Sequence, residues 1–553
     1  MGTIHISNNG KSVAASITQG ETISSALAKQ GITIPTPCGG NGTCKKCTVE
    51  TSDGVKLACQ TPATDNMTIY PPQIKDESLA IQDTYESPRP FVTEHNIERK
   101  AECKTEHKLN NQTDTNHPST YGIAIDIGTT TLAFELWRIT TGKQIASLSR
   151  VNNQRILGTD VITRIKQATE GHQAQLHRHI IDDICQGISQ LLESVNRESN
   201  TQASDVHKHT QSKPNIQLTD ISNVTISGNT TMLHLLRNLP CDTLGVSPFT
   251  PVDINLMSCN FNEVFDDNLH LNATLTLLPG ISTFVGADIA AGILCCDTNA
   301  PLPSLLIDLG TNGEMALFSQ KEIIVTSTAA GPAFEAGNIS NGVASIPGAI
   351  AKLCYLPKDN VFIYETIASD LITSDSGTSG SVKSKPPVGL CGTGVMDAAA
   401  QLITHNLADE TGRLQDPYFD KGVLITKGTT KDIIFTQKDM REVQLAKSAV
   451  RSGIEILLET AGYGYNDIGS VFLAGGFGHK INIESAQTLG LIPKELASKV
   501  ITVGNTSLAG AAHVLLSTTA KADILAITSR AKEINLSTHP RFNDLFMEYM
   551  LFE

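Results

Sequence analysis

The chain has 553 residues, 40% hydrophobic and 18% charged, and at roughly 100–200 residues per domain this length suggests about three to five domains. Forty-two lysines and arginines face 56 aspartates and glutamates, a formal net charge of −14, which repels phosphodiester backbones and argues against a nucleic-acid partner. No apolar run approaches the roughly 18 residues a membrane helix needs, and the polar opening MGTIHISNNGK lacks a secretory pattern, so no membrane is expected and the address is cytoplasmic.

The first segment opens with the alternating runs TIHIS and SVAASI around Asn8, Asn9 and Gly10, a β-hairpin pattern. ETISSALAKQG follows, with Ile23, Ala26 and Leu27 on one helical stripe and Gly31 as its stop. PTPCGGNGTCKKCTVE then reads as a Gly-rich loop entering a strand, and LACQT and MTIYPP supply the last strands. Hairpin, helix, loop and strands suggest a small β-grasp domain over residues 1–72.

Of twelve cysteines, four fall in this segment as Cys38-x5-Cys44-x2-Cys47-x11-Cys59. In a reducing compartment such clustering points to a metal rather than to disulfides. Four thiolates complete the shell of a 2Fe-2S cluster, and glycines 39, 40 and 42 permit a tight loop whose N–H groups reach the sulfides. Four cysteines also suit tetrahedral Zn²⁺, although zinc sites more often pair two short Cys-x2-Cys knuckles. The x5 spacing departs by one residue from the plant-type Cys-x4-Cys. PCGGNGTCKKC followed by LACQT resembles the N-terminal ferredoxin domain of the reductive activators of corrinoid proteins, which implies a 2Fe-2S cluster on Cys38, Cys44, Cys47 and Cys59.

Residues 73–120 are rich in Pro, Asn, Thr and charge with little apolar periodicity and read as a flexible linker. This tract is too short for the additional middle domain of some corrinoid activators. Cys103 within it reads as an incidental thiol.

From Tyr121, YGIAIDIGTTTLAFEL reads as strand, tight turn and strand, with Asp126 at the end of the first and Gly128, Thr129, Thr130 and Thr131 around the turn. LLIDLGTNGEMAL repeats the pattern with Asp308, Gly310, Thr311, Asn312 and Gly313, as an internal duplication would. Such turns present N–H and hydroxyl donors to phosphate, while the Asp carboxylates hold Mg²⁺ through water or position an attacking water. VTISGNTTMLHLL places Gly228 and Asn229, and VFLAGGFGHKIN places Gly475 and Gly476, at strand-to-helix junctions where backbone without a Cβ lies close to a ligand.

In order, these segments resemble the first phosphate, first connecting, second phosphate and adenosine motifs of the actin, sugar kinase and heat-shock chaperone ATPase superfamily. The resemblance implies ATP as ligand and a duplicated α/β actin-like (ribonuclease H-like) domain over 121–553, with subdomains at about 121–300 and 301–553. GTDVITRI, VGADIAAGIL, AAGPAFEAGNIS and GLCGTGVMDA add to the likeness to corrinoid activators. Taken alone, Glu335 and Cys391 within them read as turn or helix-start residues, and Cys295 and Cys296 as core. The Ser-rich stretches 198–215, with His207 and His209, and 374–387 read as surface insertions.

The expected whole is an α+β multidomain protein: ferredoxin domain, linker and ATPase. The resemblance implies ATP-driven reduction of Co(II) to Co(I) in a corrinoid methyltransferase protein, fed by a reduced electron donor, with Asp126 and Asp308 catalytic and the chain a homodimer. Two other expectations stand beside it: an activator of another low-potential or radical enzyme, like those of the 2-hydroxyacyl-CoA dehydratases, or a metabolite kinase with a redox-sensing domain.

Overall fold

The computed structural model describes residues 2–8, 11–18, 20–30, 32, 34, 47–71, 120–202, 215–367, 386–428, 431–475 and 481–552. Cys38, Cys44, Cys103, Gly476, His207, His209, the Asn9–Gly10 turn, nearly all of the 73–120 tract and most of the two Ser-rich stretches lie outside the described residues.

The N-terminal sheet comprises β1 (Gly2–Asn8), β2 (Lys11–Ile17), β3 (Thr48–Thr51), β4 (Gly54–Leu57) and β5 (Thr68–Tyr70) in the order β2-β1-β5-β3-β4. β1 and β5 run parallel and the other pairs antiparallel. Alternation turns Ile4, Ile6, Ala15, Ile17, Val49 and Ile69 inward, where helix Ile23–Ala28 covers them with Ile23, Ala26 and Leu27. Two local expectations need correction. The helix ends at Ala28 and is capped by Lys29 in right-handed conformation, ahead of Gly31. LACQT is a turn and the strand is the preceding GVKL, because β3 pairs Thr48 with Leu57 and the ladder has then run out of partners.

Two six-stranded sheets follow. The first contains β6 (Tyr121–Ile127), β7 (Thr131–Arg138), β8 (Lys143–Val151), β9 (Ile221–Gly228), β10 (Met257–Asn260) and β11 (Thr274–Leu277), in the order β10-β11-β9-β6-β7-β8. The second is built from β12 (Ser304–Leu309), β13 (Gly313–Phe318), β14 (Ile323–Thr328), β20 (Ser470–Ala474), β21 (Val500–Gly504) and β22 (Ala531–Glu533), in the order β21-β20-β12-β13-β14-β22. Between β14 and β20 the chain makes a small sheet of β15 (Ala349–Leu356), β16 (Val361–Thr366) and β17 (Gly389–Leu390) and a hairpin of β18 (Val423–Thr426) and β19 (Ile433–Phe435).

The segment β11-β9-β6-β7-β8 repeats as β21-β20-β12-β13-β14, with parallel and antiparallel pairings in the same places. The central strands β6 and β12 are almost wholly buried, as expected of strands covered on both faces. Each half lends a helix to the other. Thr506–Leu516, which follows β21, packs on β6 and β9, while Ala287–Leu294 touches β12 and β13.

These two helices also pack on each other, and small residues permit it. A Cβ on Gly510 would lie 2.4 Å from the Ala291 carbonyl oxygen, and one on Gly292 would lie 2.9 Å from Thr506 Oγ1. One apolar core therefore runs through both halves, joining Ile123 and Ile226 to Leu306, Phe472 and Ala512. The crossing between the halves is made by these helices.

Candidate functional site

The two hairpin turns face one cavity of about 230 Å³. Its wall includes Asp126, Gly128, Thr129, Thr130, Thr131 and Asn229 from the first half and Asp308, Gly310, Thr311, Asn312 and Gly475 from the second. Gly228 and Gly313 stand in the adjoining strands, off that wall.

The first turn is held from behind at every carbonyl. Asn152 donates its Nδ2 to the Gly128 oxygen at 2.9 Å and its backbone N–H to the Thr130 oxygen at 2.9 Å. Arg164 donates Nη2 to the Thr129 oxygen, and it also holds the Gly158 oxygen at 2.9 Å and Gln154 Oε1 at 3.2 Å. Asn229, which caps helix Thr230–Leu236, donates Nδ2 to Thr129 Oγ1 at 3.2 Å. The turn itself has no room for a side chain at Gly128, whose Cβ would lie 2.6 Å from the Thr131 oxygen. With its carbonyls tied behind, the turn is left with donors for the cleft, the arrangement that binds anions.

At the second turn, the Gly310 N–H donates to the Asn312 oxygen at 3.0 Å. The Thr311 donors meet Glu335. Thr311 gives it both its backbone N–H and its hydroxyl, the latter at 2.7 Å, and Thr130 of the first turn donates its hydroxyl to the same Oε2 at 3.0 Å. Gly475 lies against this hairpin with φ 114°, and a Cβ there would be 2.2 Å from the Leu309 oxygen and 3.0 Å from Asp308 Oδ1, so only glycine fits.

Carboxylates crowd the cleft. Asp126 accepts Ser507 Oγ at 2.6 Å and Asn505 Nδ2 at 2.8 Å, and Ser507 also donates to Ser227 Oγ at 2.9 Å. Burial raises Asp126 above the ordinary carboxylate range against those two bonds. Asp288 is pushed up to about 7 by burial and by Asp126. Asp308 and Glu314 stand well above their usual values through burial and their mutual charges with Asp288. Glu335 is raised by burial, opposed by Thr311, Thr130 and Arg164. Arg164, wholly buried, is lowered to about 9 by burial, with Asp160, Asp183 and Glu335 opposing.

A cavity of this kind holds protons until a cation enters. Among the described residues no three His, Cys, Asp or Glu side chains converge to chelate a metal. The carboxylate oxygens of Asp126, Asp288 and Asp308 on the cavity wall are the donor type that Mg²⁺ accepts beside water and phosphate.

At the N-terminal domain, Cys47 and Cys59 are buried, with their sulfurs 3.1 Å apart. A disulfide would bring them to about 2.05 Å, whereas two thiolates on one tetrahedral metal at about 2.3 Å stand roughly 3.8 Å apart. The spacing is too long for a bond. The LACQT turn makes this approach possible: the Ala58 N–H donates to the Cys47 oxygen at 2.9 Å and brings Cys59 back beside Cys47.

Three family models match the chain. One described as a 2Fe-2S iron-sulfur cluster binding domain covers residues 2–72. One described as the RACo middle region covers 121–210 and 200–300, and one described as the C-terminal domain of RACo, the ASKHA domain, covers 303–553. The two RACo models together span well over half of the chain. The chain belongs to the family of reductive activators of corrinoid proteins.

This activator is 29% identical to the corrinoid activation enzyme RamQ of Eubacterium limosum over 97% of both chains. It is 26% identical to the [Co(II) methylated amine-specific corrinoid protein] reductase of Methanosarcina barkeri over 77% of the chain and 76% of that protein. A solved reductive activator for a corrinoid, iron-sulfur protein superposes with a TM-score of 0.68 at 25% identity, over 100% of the chain and 98% of its own. The activator is thus a 2Fe-2S domain joined to an ASKHA ATPase domain, and the match of residues 2–72 to a 2Fe-2S domain supports an iron–sulfur cluster over zinc. The middle region is present after all, because it is the first of the two sheets and not an insertion into the 73–120 tract. Among the described residues no helix is long and apolar enough to cross a membrane.

Sequence reasoning gave no site role to Arg164 behind the first turn or to Asp288, Glu335, Asn505 and Ser507 on the cleft wall of this activator. Glu335 is the clearest correction, since it reads as a turn residue but bridges both hairpins. The repeated Asn-Thr pairs at 229–230 and 505–506, each opening a helix after a strand, were the available signal for Asn505.

Proposed function

We propose that this activator uses ATP hydrolysis to drive the reduction of Co(II) to Co(I) in a separate corrinoid protein of a methyltransferase system, with electrons from a reduced carrier. The observation that carries the reading is the full-length likeness to corrinoid activation enzymes, spanning the cysteine domain and the cleft together. A 2Fe-2S cluster on Cys38, Cys44, Cys47 and Cys59 supplies a one-electron centre when bound.

ATP has a physical task here. Each 59 mV of one-electron mismatch costs about tenfold in equilibrium, and a low-potential acceptor sits uphill of an ordinary ferredoxin near roughly −400 mV. A closed cleft that binds nucleotide and partner differently from an open one shifts that balance. In our reading Gly128 to Thr131 and Gly310 to Gly313 hold phosphate, Asp126 and Asp308 organise Mg²⁺ and water, and Gly228, Asn229, Gly475 and Gly476 shape the rest of the nucleotide site. Residues 1–72 form the redox domain, 73–120 the tether and 121–553 the ATPase, with halves dividing near 300. A cytoplasmic address and a homodimer through the ATPase domain complete the proposal, on the family likeness.

The test is EPR and iron analysis of protein purified without oxygen, followed by a corrinoid-reduction assay. About two irons per chain, lost in Cys59→Ser together with cobalt reduction while ATP hydrolysis persists, is the expected result. Loss of hydrolysis and reduction to the same extent would count against separable modules.

A further inference from the structure

We propose that Glu335 is a catalytic residue that faces the terminal phosphate of the bound nucleotide and orients the water that attacks it. The inference rests on reading the cleft as the ATP site. Three donors from the two turns converge on this one carboxylate: Thr130 Oγ1 at 3.0 Å, Thr311 Oγ1 at 2.7 Å and the Thr311 backbone N–H. A carboxylate gripped by both turns occupies the position where an anion bridging them is bound, so it marks the place of the terminal phosphoryl oxygens.

The other carboxylates are less suited to the task. Asp126 is committed to Ser507 and Asn505, and Asp308 is the carboxylate given to Mg²⁺ in the reading above. Glu335 stands on the short 3₁₀ turn Pro332–Glu335, which the left-handed Ala336 ends at φ 60°. Gly392 braces that turn so closely that a Cβ would lie 1.8 Å from the Phe334 oxygen. The backbone is held there while the side chain is tethered only by exchangeable donors.

When ATP enters, its phosphate takes the two hydroxyls and the N–H, and the freed carboxylate accepts a hydrogen bond from water. The water oxygen forms the new bond to the γ-phosphorus as the bond to the bridging oxygen breaks, and that electron pair leaves with ADP. The water proton passes to Glu335 and then to the released phosphate. Burial, which lifts Glu335 above an ordinary glutamate, makes it a better base near neutral pH.

Glu335→Gln keeps an acceptor and the volume; Glu335→Ala removes both. In the full-length protein, the ATP hydrolysis rate is measured beside calorimetric titrations with AMP-PNP and ADP. We expect kcat to fall about 100-fold or more in both variants, with ADP affinity unchanged and AMP-PNP binding to Glu335→Gln unchanged or severalfold tighter, because the competing anion is gone. Full hydrolysis by Glu335→Gln, or parallel loss of rate and of both affinities, overturns the assignment. A wild-type chain that binds neither nucleotide overturns instead the reading of the cleft on which it rests.

Discussion

The two phosphate-type turns share a backbone and differ in what holds them. In the first, Asn152 and Arg164 tie the carbonyls of Gly128, Thr129 and Thr130. In the second, the Thr311 donors are taken up by the Glu335 side chain. The neighbouring strands keep the symmetry: Asp126 pairs with Ser227 and Asp308 with Ala474, so Gly228 and Gly475 are counterparts. The partners do not. Asp126 receives two side-chain donors, whereas among the described residues none is directed at Asp308. The two turns keep one geometry, while one is tied by Asn152 and Arg164 of its own half and the other by the Glu335 side chain.

The sharpest way to break this comparison is Arg164→Met. It strips a buried guanidinium from three oxygen acceptors and the Met232 sulfur and should lower stability by about 3–5 kcal/mol in urea unfolding, with nucleotide affinity falling as well. An unchanged affinity would mean that the first turn does not depend on its backing.

Next comes Asp288→Asn as a function of pH. A carboxyl raised by burial to about 7 stabilises the fold while protonated. Its contribution is whole below the unfolded value near pH 4 and is lost as pH rises through about 7. The variant should therefore exceed wild type by about 2–3 kcal/mol at pH 8 without nucleotide, with the gap closing toward pH 4. A gap independent of pH would remove the titration from the account.

Smaller effects separate equivalent glycines. Gly128→Ala, with 2.6 Å to the Thr131 oxygen, should cost about 1–3 kcal/mol. Gly310→Ala, whose nearest neighbour is 3.5 Å away, should stay within about 0.5 kcal/mol. Equal losses in thermal denaturation would make the turns alike. Asn229→Ala, which removes a helix cap and the bond to Thr129, should cost about 1 kcal/mol in the same thermal denaturation.

Features carried by local chemistry were legible in the sequence. Cysteine spacing, strand alternation and the Asp-x-Gly-Thr turns each need only a few consecutive residues to declare themselves, so the redox motif, the duplicated hairpins and the family could be read directly. LACQT misled because its residues suit a strand while the register of β3 and β4 had already exhausted its partners; what looked like a strand is the turn that returns Cys59 to Cys47.

By itself, then, the sequence determined the two repeated Asp-x-Gly-Thr turns and the spacing of the four N-terminal cysteines. Only the tertiary structure decided which distant side chains complete the cleft. Asn505 and Ser507 reach Asp126 because the helix after β21 crosses onto the first sheet, and Glu335 meets Thr130 because the two halves close on each other. No spacing rule encodes such pairings, since they arise from one apolar core that is buried only when both sheets and their exchanged helices pack together.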